Sequence, residues 1–211
     1  MIHMKIGITG TIASGKTTVS ILFKRRGMPV FNCDNYSRMA LHAGNPCFQA
    51  LIEKFGDSLI GSDGDIDRTK LAELIFHNEE NRKAVNAIIH PWVREGMMKF
   101  FASHENDKLV FAEVPLLFEA GWLDDFDRIC VVTCKKETAV RRMMEDRDYT
   151  EEEALARYDS QIDPEEQIRM ADDVIWNDGS LTELDHEINL YTAKLRKEAR
   201  NGSETERHIP E

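Results

Sequence analysis

The chain has 211 residues, of which 42% are hydrophobic, and this length and composition fit one α/β domain with insertions. Its 27 basic and 38 acidic residues give a net charge of −11, which argues against a nucleic-acid partner because nucleic-acid phosphates need a basic surface. No stretch approaches the roughly 20 apolar residues of a membrane span, and the N-terminus has no apolar signal region. We therefore expect a cytoplasmic protein with no membrane partner. We also expect it to be a monomer or a weak homo-oligomer, although nothing in the sequence determines this.

A strand, a helix and a second strand are predicted at the start of the chain. Residues 5–9 are apolar and β-branched and end at Gly10, as in a buried parallel strand. Residues 16–26 have the apolar spacing of a helix that ends at Gly27, and residues 28–33 form the second strand. Such a strand–helix–strand unit implies a parallel sheet.

The segment from 34 to 105 has a helical pattern. Asn45 before Pro46, and Asp67 further on, are predicted to cap helices. A later helix is expected to stop near Pro91, and a separate one to continue to residue 101. We interpret the segment as a helical insertion between strands.

Strands alternate with charged helices in the second half of the chain. The predicted strands cover residues 109–114, 128–133 and 173–176. The predicted helices cover residues 137–147, 150–161 and about 180–200, with capping-box spacing in Thr150/Glu153 and Ser180/Glu183. The fold class is therefore α/β, with a five-stranded parallel sheet flanked by helices, and residues 201–211 are expected to be a disordered tail.

Residues 10–17 read Gly-Thr-Ile-Ala-Ser-Gly-Lys-Thr and match the phosphate-binding pattern GxxxxGK[ST], between a strand and a helix. The glycines let the backbone curl so that its N–H groups point at phosphate oxygens, and the helix N-terminus favours anions. Lys16 should reach the β- and γ-phosphates, and the Thr17 hydroxyl should bind Mg²⁺. We expect a P-loop NTPase-type fold that binds ATP. The predicted contacts are Thr11, Ile12, Ala13, Ser14, Gly15, Lys16, Thr17 and Thr18.

Ligands of parallel sheets bind beyond the carboxyl ends of the strands, so residues at those ends are candidate partners of the loop. Asp34 follows the second strand, where a carboxylate could orient an acceptor hydroxyl, accept its proton or bind Mg²⁺. The alternative role of Asp34 is a helix cap. Glu113 ends the third strand and suggests a Mg²⁺ ligand, direct or through water, or else a carboxylate bound to neighbouring amides.

Five basic residues cluster after the fourth strand: Lys135, Lys136, Arg141, Arg142 and Arg147. A phosphotransferase needs cations on the transferring group, and a mobile lid can deliver them while excluding water. The alternative is a solvated helix with salt bridges to nearby carboxylates. Within a lid, Arg142 is the first candidate for the transferring phosphate.

Two residues of the helical insertion are further candidates. Arg68 could contact an acidic substrate, and His90 could donate or accept a hydrogen bond near the site. Either residue could instead have a purely structural role.

Taken together, these motifs resemble the dephospho-coenzyme A kinase family over about residues 4–195. The matching elements, in chain order, are Gly7-Ile8-Thr9-Gly10, Ser14-Gly15-Lys16-Thr17, Cys33-Asp34 with Arg38, Asp63-Gly64-Asp65-Ile66-Asp67-Arg68, His90-Pro91, Pro115-Leu116-Leu117-Phe118-Glu119, Arg142, Gln161, and Ala171-Asp172-Asp173-Val174-Ile175 with Asn177. Many families share the P-loop, whereas the blocks from the middle of the chain are far more specific in combination.

The resemblance implies a kinase of coenzyme A biosynthesis in which ATP, with Mg²⁺, phosphorylates the ribose 3′-hydroxyl of dephospho-CoA. It implies three parts, whose boundaries we place as follows: P-loop core 1–33, 106–135 and 171–200; helical CoA-binding insertion 34–105; lid 136–170. The implied site residues are Asp34, Lys16 and Arg142 for catalysis, Thr17 and Glu113 for the metal, Asn177 for ATP, and Arg38, Arg68, His90 and Leu117 for the acceptor substrate.

The chain departs from the family pattern at four places. Asn32-Cys33-Asp34 replaces the usual Asp-Ala-Asp, so that Asp34 alone must carry the role of that motif. Thr11 and Ala13 stand in the loop where glycines are usual. Glu113 replaces a commoner Asp, which favours a water-mediated metal contact. Asp146-Arg147 reverses the usual order and leaves Arg142 as the better lid match.

Two other functions remain open from the sequence. The chain could be another small-molecule P-loop kinase, acting on a nucleoside monophosphate or a vitamin. It could also be a non-catalytic nucleotide-binding switch, although no Asn-Lys-x-Asp guanine motif follows a strand.

Overall fold

The computed structural model describes residues 3–76 and 78–205, without the side chains of Arg147 and residues 201–205. The chain forms two compact units, one made of Met1–Phe31 with Phe101–Glu211 and the other of Asn32–Phe100. No helix among the described residues is both long and apolar enough to cross a membrane.

The first unit is built on a five-stranded sheet in the order β2-β3-β1-β4-β5. The strands are β1 Met4–Gly10, β2 Val30–Asn32, β3 Leu109–Glu113, β4 Arg128–Thr133 and β5 Asp173–Trp176. The central strand β1 pairs in parallel with β3 and β4, and β4 pairs in parallel with β5. The predicted fold class is confirmed, and the carboxyl ends of the strands meet at one edge.

Ten helices are described. They are α1 Lys16–Arg25, α2 Cys33–Met39, α3 Pro46–Phe55, α4 Arg68–Phe76, α5 Glu79–Ser103, α6 Leu117–Ala120, α7 Lys136–Arg147, α8 Glu151–Asp159, α9 Pro164–Met170 and α10 Leu181–Thr205. Short 3₁₀ turns lie at Asp57–Leu59 and Leu123–Asp125.

The core of the first unit lies between the sheet and helices α1 and α10. Alternate residues of β1, Ile6 and Ile8, are completely buried in it. Phe23 of α1 stacks on Phe111 of β3 with ring centroids 4.2 Å apart. Leu195 brings α10 into the same cluster. This packing fixes the strand end from which the phosphate-binding loop leaves β1.

Local capping signals predict the helix starts well. The side chain of Asn45 accepts from the N–H of Cys47 ahead of α3, and Asp67 accepts from Thr69 N–H at 2.8 Å ahead of α4. Both predicted capping boxes form, including reciprocal bonds between Thr150 and Glu153. These caps satisfy N–H groups that have no partner inside the helix.

The prediction that Pro91 ends a helix is wrong, because α5 continues through it from Glu79 to Ser103. A proline inside a helix costs about 3 kcal/mol through the lost N–H bond and a ring clash. Val85 on one side, and Val93 and Met97 on the other, are at most 4% exposed. Burying such side chains gains about 1.5–3 kcal/mol each, which outweighs the proline.

The predicted tail begins too early. Helix α10 runs on to Thr205, so residues 201–205 are helical, and a single glycine at 202 costs only about 1 kcal/mol there. The rest of the predicted tail, residues 206–211, lies outside the described residues.

The second unit, Asn32–Phe100, contains helices α2 to α4 and most of α5. They pack around buried aliphatic side chains, among them Leu51, Leu59, Ile66 and Val85. A bridge between Ile60 and Ile66 closes the turn that precedes α4.

Candidate active site

The phosphate-binding loop needs glycine at two positions for space as well as conformation. Gly10 has φ 138°, and a Cβ atom there would lie 1.9 Å from the carbonyl oxygen of Val132. Gly15 has φ 93°, and its Cβ would lie 2.2 Å from Nδ2 of Asn177. Both values fall in the left-handed region that L side chains avoid. The loop thus passes directly over the ends of β4 and β5.

Ala13 occupies the left-handed region without being a glycine, at φ 58°. This costs about 1–2 kcal/mol in backbone strain. Ala13 and Ile12 pack against a buried cluster from α7 and α8 that contains Met143 and Tyr158. The loop therefore forms despite the missing glycine, and its outer side is supported by these helices.

The interior of the loop carries polar groups suited to an anion. Nζ of Lys16 donates to the carbonyl oxygens of Gly10 at 3.0 Å and Thr11 at 2.7 Å. The hydroxyls of Thr11 and Ser14 are buried and have no hydrogen-bond partner within the described part of the chain. Buried polar groups of folded proteins are normally paired, so unpaired hydroxyls in this loop point to a ligand.

Thr17 and Glu113, both predicted to bind a metal, lie together. The Thr17 hydroxyl donates to Oε1 of Glu113 at 2.7 Å, and Glu113 is 2% exposed. Among residues 3–76 and 78–205, no group of three or more His, Cys, Asp or Glu side chains could hold a metal. Mg²⁺ usually takes only one or two protein oxygens and completes its shell with phosphate and water, so this pair fits it.

Arg142 and Asn177 connect the loop to α7 and to the end of β5. The guanidinium of Arg142 donates to the carbonyl of Asn177 at 2.8 Å and to those of Ala13 and Ser14 at 3.3 and 3.5 Å. Nδ2 of Asn177 donates to the Ser14 carbonyl at 2.8 Å, and its N–H donates to Thr133. In this conformation both residues brace the main chain of the loop; contact of Arg142 with a transferring phosphate stays a prediction.

Gln161 is a further residue of this site, and no motif of the sequence assigns it a role. Its Oε1 accepts a 2.6 Å hydrogen bond from the N–H of Ile12 in the loop. No local pattern signals a contact between residues so far apart; only its place among the family elements marked it.

Two of the predicted substrate residues in the second unit line one cavity. The cavity measures about 400 Å³, and its charged lining consists of Arg38 and Arg68 together with the carboxylates of Asp63, Asp65 and Asp67. Neither guanidinium makes a hydrogen bond or ion pair with the described residues. The carboxylate of Asp65 is engaged by the Ala43 N–H at 2.7 Å and by His42, and these bonds lower its pKa. The cavity therefore offers two guanidinium groups to an acidic ligand.

Asp34 is the second residue of α2 and is exposed. The helix cap is Asn32, whose side chain accepts from the Asn35 N–H at 2.7 Å, so Asp34 does not have the capping role that the sequence left open. His90 lies in α5 and is half-buried, and burial lowers its pKa, which keeps the imidazole neutral near pH 7.

Comparison with known proteins assigns the chain to a family. The family model for dephospho-CoA kinase matches residues 4–183. The chain belongs to this family. The family resemblance drawn from the sequence is thus confirmed, and with it the membership of a family of ATP-dependent kinases.

Individual relatives agree with the family match. A dephospho-CoA kinase of Bacillus cereus is 41% identical over 187 residues, which cover 88% of this chain and 94% of the relative. A solved structure from Thermus thermophilus has 36% identity and a TM-score of 0.79, covering 92% of this chain and 99% of its own. A dephospho-CoA kinase from Campylobacter jejuni has 27% identity and a TM-score of 0.70, covering 92% and 97%.

Leu117, which the family resemblance suggested as a substrate contact, lies in the protein core. The side chain of Leu117 is completely buried, and its Cδ2 lies 3.2 Å from the position a Cβ on Gly7 would take. It packs on the sheet as part of the core and presents no side-chain surface to a ligand. Its neighbour Leu116 is 49% exposed. The apolar block after β3 thus buries one leucine and exposes the other.

Proposed function

We propose that the protein transfers the γ-phosphoryl group of ATP to the ribose 3′-hydroxyl of dephospho-CoA, giving CoA and ADP. The observation that carries this proposal is the joint presence of Lys16 inside the phosphate-binding loop and the Thr17–Glu113 pair beside it, in a chain of this family. Residues 34–105 are proposed to bind the acceptor, and residues 136–170 to act as a lid.

The donor half of the reaction is assigned to the loop. Its main-chain N–H groups and Lys16 hold the β- and γ-phosphates of ATP. Thr17 and Glu113 are proposed to hold Mg²⁺, which when bound neutralises charge on the phosphate oxygens. Asn177 supports the loop on the adjacent strand end, and Arg142 is proposed to supply a positive charge from the lid as transfer proceeds.

The acceptor half is assigned to the second unit. Arg38 and Arg68 are proposed to bind the acidic groups of dephospho-CoA, because both guanidinium groups line one cavity and dephospho-CoA carries a diphosphate. His90, neutral near pH 7, is proposed to hydrogen-bond the substrate. Asp34 orients the 3′-hydroxyl and accepts its proton. The transition state of phosphoryl transfer is loose, so positioning is the larger part of that role.

The test is a coupled ADP-release assay in which the purified protein receives ATP and Mg²⁺ with dephospho-CoA, AMP, CMP or pantothenate in parallel. Phosphorylation of dephospho-CoA alone is the expected result. Phosphorylation of only one of the other three acceptors would make the protein a different small-molecule kinase. Nucleotide hydrolysis that needs no acceptor and prefers GTP would make it a switch protein. We further propose that it works in the cytoplasm as a monomer or weak homo-oligomer, without nucleic acid.

A further inference from the structure

Gln161 connects the segment after α8 to the third residue of the phosphate-binding loop. Its Oε1 accepts a 2.6 Å hydrogen bond from the main-chain N–H of Ile12, across 149 positions of sequence. Both residues belong to the same compact unit. The proposed function makes no use of this contact, although the N–H groups of such a loop are those that bind phosphate oxygens.

The residues around Gln161 hold its backbone beside the loop. Its own N–H donates to the carbonyl of Tyr158 at 3.3 Å and so closes the last turn of α8. Tyr158 is buried in the cluster of α7 and α8 side chains against which Ile12 packs. On the other side, the side-chain amide of Gln167 donates to the carbonyl of Ile162 at 3.2 Å. These hydrogen bonds and this packing therefore fix the backbone position from which the Gln161 side chain extends.

The chemistry of a primary amide defines what the rest of the side chain offers. Its oxygen only accepts hydrogen bonds, and its NH₂ group carries two donors. Because the Ile12 N–H can only donate, the oxygen must face it, and this orients Nε2 on the other side of the amide. Nε2 has no hydrogen-bond partner among residues 3–76 and 78–205. A neutral pair of donors thus lies next to the phosphate-binding loop.

We propose that Gln161 binds the γ-phosphate, with Oε1 kept on the Ile12 N–H and Nε2 donating to a terminal oxygen of the bound nucleoside triphosphate. This inference rests on the proposed function only in taking a nucleoside triphosphate as the donor. Charge spreads over the γ-phosphoryl oxygens during transfer, and a fixed donor there stabilises it without placing a second cation beside Lys16. ADP has no γ-phosphate and therefore makes no such contact.

Two variants separate the two ends of the amide. Gln161→Glu keeps an acceptor for Ile12 and removes the donor, whereas Gln161→Leu removes both. Calorimetry measures the affinity of each for ADP and for the non-hydrolysable analogue AMP-PNP, both with Mg²⁺ and without acceptor. A hydrogen bond to a charged group predicts AMP-PNP binding about 10- to 100-fold weaker in both variants, with ADP affinity unchanged. With ATP and dephospho-CoA, kcat should fall by a similar factor.

The matched control is Gln49→Glu, the same exchange on the exposed face of α3, which should change neither affinity. Equal AMP-PNP affinity in the Gln161 variants and the parent would overturn the proposal. Tighter AMP-PNP binding would overturn it too, since Gln161 would then be a placeholder that phosphate displaces from Ile12. If the variants lose ADP affinity to the same extent, Gln161 only maintains the loop conformation, and the proposed γ-phosphate contact is wrong. If the unaltered protein does not phosphorylate dephospho-CoA, the proposed function fails while the binding measurements still decide the role of Gln161.

Discussion

The hydroxyl of Thr17 donates a 2.7 Å hydrogen bond to the carboxylate of Glu113, which is 2% exposed at the end of β3. Ile8 of β1 is directly paired with Glu113 in the sheet, so the strand register brings the carboxylate level with the loop. A buried carboxylate that accepts from the first turn of α1 fixes the direction of the hydroxyl. The hydrogen bond also places two oxygen atoms side by side, and oxygen is the ligand type that Mg²⁺ prefers.

Glu113→Gln tests the metal role, because glutamine keeps the size and the acceptor for Thr17 but removes the negative charge. Loss of an outer-shell residue of a metal site, such as one that acts through water, typically costs about 10–100-fold in metal affinity or activity. We expect the Mg²⁺ concentration at half-maximal rate to rise by about that factor. Initial rates measured against MgCl₂ concentration give this value. Thr17→Ser, which retains the hydroxyl, is the control, and an unchanged Mg²⁺ requirement in Glu113→Gln would contradict the assignment.

Asp34→Asn is expected to reduce turnover by at least about 100-fold, within the range for loss of a general base. ATP affinity should change little, because Lys16 and the loop hold the nucleotide. Steady-state rates at saturating ATP and dephospho-CoA give the first value, and equilibrium binding of ATP gives the second. Asn35→Ala, at the next exposed position of α2, should retain full turnover. Near-normal turnover in Asp34→Asn would remove Asp34 from the mechanism.

Local patterns were sufficient to place the strands and the helix starts. The predicted strands 128–133 and 173–176 match the bounds of β4 and β5, since each is a short apolar run closed by polar residues. Asn45 and Asp67 cap helices as expected, because capping depends on residues only a few positions apart. The loop residues Lys16 and Thr17 were found because GxxxxGK[ST] is a local motif.

Long-range pairing explains what the sequence did not predict. The contact between Ile12 and Gln161 spans 149 positions, and that between Arg142 and Ala13 spans 129. Helix and strand periodicity cannot predict either contact, because it depends only on residues that are close together in the sequence. Pro91 was misjudged for a similar reason, since the burial that keeps α5 continuous is a tertiary effect that overrides a local rule.

Gly96 lies inside α5, where glycine is a poor helix former, and its place is explained by an aromatic stack. The rings of Tyr36 and Trp92 lie 4.2 Å apart at 20°, and a Cβ on Gly96 would come within 2.3 Å of the Tyr36 ring. Helix propensity alone predicts that Gly96→Ala gains about 1 kcal/mol. Overpacking against the ring predicts that the free energy of unfolding falls by about 1–3 kcal/mol. We expect this effect to be the larger one, so that Gly96→Ala is less stable than the parent.

Urea unfolding of Gly96→Ala measures the free energy of unfolding directly. The double variant with Tyr36→Ala removes the ring that the new methyl group meets, so it should be no less stable than Tyr36→Ala alone. A Gly96→Ala variant more stable than the parent would show that Tyr36 moves aside at no cost. Because α2 also carries Asp34, displacement of Tyr36 should lower turnover as well.

Asp173 at the start of β5 anchors α10 to the sheet. Its carboxylate accepts from Arg128 at 2.9 Å, from the Tyr191 hydroxyl at 3.1 Å and from Lys194. Burial by itself would raise the pKa of Asp173, but the hydrogen bonds from Lys194 and Arg128 prevail and hold it below the ordinary value. At acidic pH the unfolded chain therefore binds more protons than the folded one. The stability that Asp173 contributes is present above its unfolded pKa of about 3.9 and is lost as the pH falls through the lower folded pKa.

Asp173→Asn should consequently destabilise the protein at pH 7 by about 1.5–3 kcal/mol, because Arg128 and Lys194 lose a charged hydrogen-bond acceptor. The loss is no larger because Arg128 keeps its ion pair with Glu198 at 2.6 Å and the Lys194 side chain is half exposed. The difference from the parent should shrink as the pH falls below about 4, where the parent carboxylate also becomes neutral. Urea unfolding at a series of pH values from 3 to 7 measures both effects. Asp172→Asn is the matched control: Asp172 is exposed, and within the described part of the chain its side chain accepts only the Ile129 N–H, at 2.7 Å, which an asparagine oxygen can also accept. In Asp172→Asn the free energy of unfolding should fall by about 1 kcal/mol or less at every pH. Equal stability of the two variants at pH 7, or a gap between Asp173→Asn and the parent that does not change with pH, would mean that this ion pair is not what holds α10 on the sheet.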